Sequence, residues 1–261
     1  MQTKKIEVDR NLKEQFQFDD NSFPFGIWLD DYSLWAEHTL TCHWHDAFEI
    51  GVVLSGRVEY IIDSVPISLE KGDAVFVNMN RLHMAIQRET KENAVMQVFV
   101  FKTDTLTGNT AGTIYQKFFL PVIGSDIHGF RINPGTVYGS AAISSLKELA
   151  ALDNRKPGYE LESIALLSKV WQHVLNYISD PENPVIKTKK QHLGWDTEIR
   201  TMLSYIHENY QKKISINSLM DCASISRSEC FRCFHFFTGK NPMEYLNEYR
   251  LSKAACSMRQ T

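Results

Sequence analysis

Four side chains in the first third of this chain could hold a metal ion or a polar ligand between them: His43, His45, Glu49 and His83. His43, His45 and Glu49 have the same parity, and on an extended segment residues two apart share a face. A strand over this stretch would therefore point all three into one barrel, and His83 from a second strand would complete three nitrogens and one carboxylate. That donor set suits a borderline divalent ion such as Zn, Ni, Fe or Mn. The same four groups also suit a polar lining for an organic ligand, or a structural hydrogen-bond network. Tyr60, Gln97 and Trp28 could line that cavity or serve as ordinary core and surface.

A second group sits near the other end, in Ser226-Arg227-Ser228-Glu229-Cys230-Phe231-Arg232-Cys233-Phe234-His235. At about 100° per residue, Cys230, Cys233, Phe234 and Phe237 gather on one face of a helix, while Ser228, Phe231, Arg232 and His235 fall on the other. An arginine, a histidine, short polar residues and an exposed aromatic can reach base edges or phosphates in a DNA groove. A solvated face of an all-helical domain would look the same. Cys230-x-x-Cys233 is a lone pair of thiols, and a structural zinc site needs four ligands, so it reads as two buried cysteines.

These groups need elements to position them. From Phe25 to Phe101 short apolar or alternating runs recur (FGIWL, FEIGVVL, RVEYIID, AVFVN, MAIQ, VMQVFVF), separated by turn signals at Ser55-Gly56, Asp63-Ser64, Val65-Pro66 and Lys71-Gly72-Asp73. Many short strands at this spacing predict an antiparallel barrel or sandwich. Gly- and Pro-bearing loops follow, including Pro121, Gly124, Gly129 and Pro134-Gly135. The period then becomes helical over 140–152 and 159–178, where Ile164, Leu167, Trp171, Leu175 and Ile178 form a stripe. Residues 181–195, with two prolines and Lys187, Lys189 and Lys190, read as a linker.

Beyond it everything is helical. Residues 197–210 form an amphipathic helix with Ile199, Met202, Leu203 and Ile206 on one side. Residues 215–223 form a short helix burying Ile216 and Leu219. Ser226 with Glu229 forms a capping box that opens a third helix ending near Gly239, and Asn241-Pro242-Met243-Glu244 opens a fourth. Two short helices joined by a tight turn are the geometry of a helix-turn-helix.

The composition, 43% apolar and 23% charged, is that of a globular protein. No apolar run is long enough for a membrane span, the N-terminus lacks a signal-peptide core, and five cysteines fit reduced thiols, so a cytoplasmic location is expected. The net charge of −3 does not advertise a nucleic-acid partner. It is uneven, however: residues 196–261 carry +2 and the remainder −5, which permits DNA contact by the C-terminal part.

Residues 214–254 resemble the first helix-turn-helix and linker helix of the AraC-type regulators, on Ser226, Arg232, Phe234, Gly239, Pro242, Tyr245, Arg250 and Ala254, in order and at the family's spacing. The chain departs at Ser224, where the family's turn often has Gly, at Met220, where a small Ala is usual, and at Phe231, where a small polar residue is common. The stretch from His43 through Glu49 to Gly56, and that from Gly72-Asp73 to His83, resemble the two cupin motifs. The first lacks its usual leading Gly. The second has Asn78 and Asn80 where Pro and Gly are common, and Gln87 at the usual Asn.

The resemblance implies an α+β chain: a double-stranded β-helix (cupin-like) effector domain over 1–139, a helical dimerisation region over 140–180, a linker over 181–195, and an AraC-type DNA-binding domain over 196–261. The family carries two helix-turn-helix units, and this sequence ends inside the helix that would join them, so a chain truncated after the first unit is expected. The function implied is sequence-specific transcription regulation by a homodimer, without a catalytic role or a required cofactor. A small effector such as a sugar or related metabolite would bind at His43, His45, Glu49 and His83. Ser226, Arg227, Ser228, Phe231, Arg232 and His235 would face a DNA operator. The competing readings are a metal-dependent cupin enzyme using the same four residues, and a dimerising fragment unable to bind DNA alone.

Overall fold

The computed structural model describes residues 6–9, 12–89, 91–183 and 195–258. Nine strands form two antiparallel sheets. They are β1 (Phe25–Asp31), β2 (Thr39–His43), β3 (Phe48–Ser55), β4 (Arg57–Ile62), β5 (Val65–Glu70), β6 (Ala74–Val77), β7 (His83–Ile86), β8 (Val95–Phe101) and β9 (Gly129–Ile132). One sheet runs β1-β8-β3-β6-β9, the other β2-β7-β4-β5. Short helices α1 (Asp104–Thr107) and α2 (Leu120–Ile123) lead to α3 (Val137–Ala150) and α4 (Tyr159–Ser179). The C-terminal part is α5 (Asp196–Asn209), α6 (Ile216–Ala223), α7 (Arg227–Thr238) and α8 (Pro242–Met258).

The molecule is layered, and parity along each strand assigns its side chains to a layer. Between the two sheets lie Val53, Val58, Tyr60, Ile62, Val75, Val77, Ala85, Met96, Val98 and Val100. On the outer face of the five-stranded sheet, Phe48, Ile50, Phe76, Phe99, Phe101 and Phe130 meet Leu146, Leu149, Leu167, Val170, Trp171 and Val174 of α3 and α4. On the outer face of the four-stranded sheet, Cys42, Ile61, Met84 and Ile86 meet Ile199, Met202, Leu219, Cys233, Phe234 and Phe237 of the helical C-terminal part. Strands buried on both faces need no polar side, which is why β3 and β8 read as near-continuous apolar runs.

All six runs singled out in the sequence are strands. β2, β5 and β9 were not expected. Val65-Pro66 reads as a turn signal although Val65, Ile67 and Leu69 alternate with Pro66, Ser68 and Glu70, and β9 is only four residues, set in what reads as loop. That loop region also holds α1, a helical turn at Tyr115–Phe119 and α2. The helix expected from residue 140 starts at Val137, with the Thr136 side chain accepting from Gly139 N–H at its N-cap. The α4 stripe is spent largely on its own barrel: Leu167 and Trp171 are buried in the core shared with the five-stranded sheet, and Leu175 and Ile178 pack against it. The linker expectation falls mostly on 184–194, including Lys187, Lys189 and Lys190, which lie outside the described residues.

In the C-terminal part Ile199, Met202, Leu203, Ile206 and Leu219 are buried, while Ile216 is half-exposed and Ile214, just before α6, is buried in its stead. Ser215 caps α6 by accepting from Ser218 N–H at 3.1 Å. The α6–α7 turn puts Ser224 at φ +55°, the left-handed region that favours the glycine seen in the resembling family. The capping box of Ser226 and Glu229 opens α7, and Gly239 at φ +67° closes it. Asn241 and Glu244 repeat the box at α8, with Glu244 N–H donating to Asn241 Oδ1 at 3.0 Å and Asn241 N–H to Glu244 Oε2 at 2.8 Å.

Candidate metal centre and nucleic-acid interface

His43, His45, Glu49 and His83 converge: each offers one ligand atom, and these atoms lie within 4.8 Å of one another. The convergence does not come from one extended segment. β2 ends at His43, the chain bends at Asp46-Ala47, and β3 begins at Phe48. Leu40 pairs with Ala85 and His43 with His83, three residues along β2 against two along β7. This bulge inserts one residue and flips parity. Cys42 thereby turns out toward the C-terminal helices while His43 turns into the barrel, opposite His83.

Each imidazole is oriented by its own backbone neighbourhood. His43 Nδ1 lies 2.8 Å from the Thr41 carbonyl, His45 Nδ1 3.0 Å from that of Ala47, and His83 Nδ1 2.9 Å from that of Arg81. A carbonyl oxygen only accepts, so each Nδ1 carries the proton and donates it. The Nε2 atom of each ring is left to face the cluster, the arrangement by which protein groups orient metal-ligating histidines. Glu49 Oε2 is 3.3 Å from His45 Nε2 and 3.9 Å from His83 Nε2. Its other oxygen accepts a 2.5 Å hydrogen bond from the Tyr60 hydroxyl. All five side chains are buried. Burial first, and then the Glu49 charge, push the Tyr60 hydroxyl well above its ordinary value, so it stays a donor.

Phe16 lies edge-on to His45, with ring centroids 5.0 Å apart, and stacks with Phe18 and Trp28 in an aromatic cluster. Trp28 is thus half-buried at this edge, and Gln97 is buried on β8. Sequence reasoning missed Glu14. Its Oε2 lies 3.6 Å from His43 Nε2, and both side chains are buried. Nothing in the polar N-terminal stretch marks it out. It is placed by backbone pairing, with Glu14 N–H donating to the Trp44 carbonyl at 2.9 Å and Trp44 N–H to that of Leu12 at 3.0 Å.

The cluster fits a divalent ion by the chemistry of its donors. Three imidazole Nε2 atoms and a buried carboxylate oxygen face one another, a nitrogen-and-oxygen donor set of the kind that holds borderline divalent ions.

On α7, Cys230, Cys233, Phe234 and Phe237 are buried. Ser226, Arg227, Ser228, Arg232 and His235 are exposed, and Phe231 is half-exposed. The Ser226 hydroxyl serves the cap, accepting from Glu229 N–H at 3.3 Å and donating to Glu229 Oε2 at 2.7 Å. These bonds hold the Glu229 carboxyl below its usual range. Arg227 lies over the Phe231 ring at 5.6 Å and Arg232 over that of Trp195 at 5.4 Å. Trp195, the N-cap of α5, was not expected here. It shares a shallow surface depression with Phe231, Arg232, His235, Phe236 and Asn241.

Beside the apolar contact with the four-stranded sheet, the two parts also touch through the loop that carries the histidines. The Arg200 guanidinium of α5 sits 4.3 Å from the Trp44 ring centroid and donates to the Asn80 carbonyl at 2.9 Å, and Asn80 N–H donates to the carbonyl of His45 at 2.8 Å.

A double sheet with inward histidines is followed by helices in a helix-turn-helix arrangement. Residues 33–101 match the cupin domain family. The chain is homologous to the uncharacterized HTH-type transcriptional regulator YdeC of Bacillus subtilis, at 24% identity over 253 residues covering 96% of this chain and 84% of that protein. The HTH-type transcriptional activator RhaS of Pectobacterium carotovorum is 23% identical over 84% of this chain and 74% of its own length. The AraC-like transcriptional activator CuxR aligns over 88% of this chain and 73% of its own at 14% identity, with a TM-score of 0.36, too low for the superposition to bear on the fold. No described helix is long and apolar enough to cross a membrane.

Proposed function

We propose that this chain is an effector-responsive DNA-binding regulator whose barrel cluster binds a divalent metal ion, alone or as part of the site for a small metabolite, and whose α7 reads DNA. The observation that carries the reading is the convergence of three Nδ1-anchored histidines and Glu49 in a buried cluster. His43, His45, Glu49 and His83 would hold the ion, which when bound would supply a Lewis-acidic centre for an oxygen-bearing ligand. Tyr60 keeps Glu49 aimed, and the three backbone carbonyls hold the histidines in the tautomer that leaves Nε2 to bind.

On α7 the exposed Arg227, Ser228, Arg232 and His235, with Phe231, form the face offered to a major groove, and Ser226 fixes the start of the helix. A regulator of this kind works on DNA as a pair of copies. The exposed Leu161 of α4 and Val137 of α3 are apolar positions that a second copy would cover.

The test is metal analysis and DNA binding on the same protein. Purified chain should hold close to one divalent ion, His45→Ala should lose it, and fluorescence anisotropy on labelled duplex should change when the ion is removed. Metal-free protein of unchanged stability that gains nothing from added Zn, Ni, Fe or Mn would leave the cluster as a polar lining. Conversion of a bound metabolite would move the chain to the cupin enzymes.

A further inference from the structure

The shallow depression beside the outward face of α7 draws its lining from three parts of the chain. Trp195 is the N-cap of α5, Phe231, Arg232, His235 and Phe236 belong to α7, and Asn241 immediately precedes α8. It combines aromatic rings with basic side chains: Trp195, Phe231 and Phe236 are half-buried, Arg232 and His235 are exposed, and none of the described residues lining it is acidic. Trp195 is pinned in place by its carbonyl, which accepts from Ile199 N–H at 2.9 Å and from the Cys233 thiol at 3.8 Å. Its ring meets that of Phe236 edge-on, with centroids 6.2 Å apart, and lies under the Arg232 guanidinium at 5.4 Å.

The place of the depression decides what it would meet on DNA. A helix with its side chains is about 10–12 Å across, and the major groove is about 12 Å wide. A helix that fills the groove therefore has a sugar-phosphate strand along each flank. Phe236 stands about 40° round α7 from Arg232, on the flank away from Arg227, and Trp195 of α5 extends that flank beyond the helix. A deoxyribose presents apolar C–H faces to an aromatic ring, and its phosphates are anions that a planar guanidinium or an imidazole N–H can pair with. Rings bordered by basic side chains, without a carboxylate among them, suit that backbone.

We infer that this depression seats the sugar-phosphate backbone of one DNA strand, with the sugars on Trp195 and Phe236 and a phosphate at the basic side chains beside them. The inference rests on α7 being the DNA-reading helix and adds to it a contact made by α5. Such a contact fixes the register of α7 in the groove and serves affinity on every sequence alike.

The experiment is fluorescence anisotropy of the full chain with two labelled duplexes of unrelated sequence, at several salt concentrations. Trp195→Ala should weaken both by the same factor, about 2–30-fold, and lower the salt slope by about one, the mark of a lost phosphate contact. Trp195→Phe, which keeps a ring, should recover most of the affinity. Phe236→Ala, on the same flank, should act in the same direction, and it carries the test if far-ultraviolet circular dichroism shows Trp195→Ala unfolded. Unchanged affinity and slope in both alanine variants would overturn the seat and leave α7 standing as the reading helix. A loss on one duplex alone would overturn it in favour of a base contact. A dimer in sedimentation that Trp195→Ala dissociates, with DNA binding unaltered, would give the depression to a second copy and overturn it too. A wild-type chain that binds neither duplex would overturn both the seat and the DNA reading of α7.

Discussion

Replacing Tyr60 by Phe removes one oxygen atom and nothing else from the barrel interior. That oxygen donates at 2.5 Å to Glu49 Oε1, between two buried side chains. A hydrogen bond to a charged group is worth about 1.5–3 kcal/mol net, and water cannot replace the donor in a cluster closed by Phe16 and the strands. If Glu49 ligates through Oε2, that energy is spent holding the carboxylate in place and ionised. Its loss should weaken a divalent ion by about 10–150-fold, since about 1.4 kcal/mol is tenfold in a dissociation constant. Surveys of groups that orient metal ligands give about 10–100-fold for such a deletion, so two independent routes meet. The assay is competition for Co2+ or Zn2+ against a chelator of known strength, with thermal unfolding of the metal-free protein in parallel. A Tyr60→Phe variant that binds the ion within about twofold of wild type would refute the argument that Glu49 is a ligand held by Tyr60.

Other outcomes follow from the same geometry. His207 stacks on Tyr249 at 4.0 Å and contacts the Tyr245 hydroxyl at 3.0 Å, and burial drives its pKa down to about 3. The folded state keeps it neutral while the unfolded chain protonates near 6.5, so stability present above pH 6.5 should be lost as pH falls toward 3. The loss should reach about 1–2 kcal/mol at pH 5, read by urea unfolding, and His207→Gln should flatten that slope. Gly56 has φ +68°, and a Cβ there would lie 2.7 Å from the Ala94 Cα. Gly56→Ala should therefore cost about 2–4 kcal/mol and lower Tm by about 5–15 °C; an unchanged melting curve would contradict the hairpin geometry. Arg232→Ala should cost about 1–3 kcal/mol on one DNA sequence if it reads a base, or weaken all sequences and reduce the salt slope by about one if it meets a phosphate. No change on any duplex would remove α7 as the reading helix.

Much of this architecture is legible in the residues. Gly56, Ser226 with Glu229, Gly239 and Pro242 are local signals whose meaning depends on a few neighbours, and each sits where the sequence puts it. The parity of His43, His45 and Glu49 points to one interior, yet the structure reaches it by another route. A bulge after Leu40 and a bend at Asp46 break the strand, and two departures from regularity cancel. No periodicity encodes such a cancellation. Glu14, Trp195 and Arg200 were illegible for a different reason: their roles come from pairing with residues about 30, 37 and 156 positions away, a tertiary fact that leaves no trace in local spacing. The α4 stripe was legible as apolar, but not as to what would cover it. The outer face of the five-stranded sheet claims most of it.

Trp44 belongs to two bodies at once. Its backbone is the single link between His43 and His45, and its ring is the floor on which Arg200 of α5 rests. An occupant of the barrel that favours one placement of that loop therefore biases the placement of α5, by no more than its own difference in affinity for the two placements. Linkage makes this symmetrical. If filling the cluster loosens Arg200 from Trp44 by a given factor, then holding the C-terminal helices away from the barrel must tighten the cluster's hold on its occupant by that factor. A duplex that holds those helices away would then be, in effect, a reagent for the proposed metal site, and an ion-binding isotherm recorded with and without DNA would measure communication between the two halves without reference to any gene.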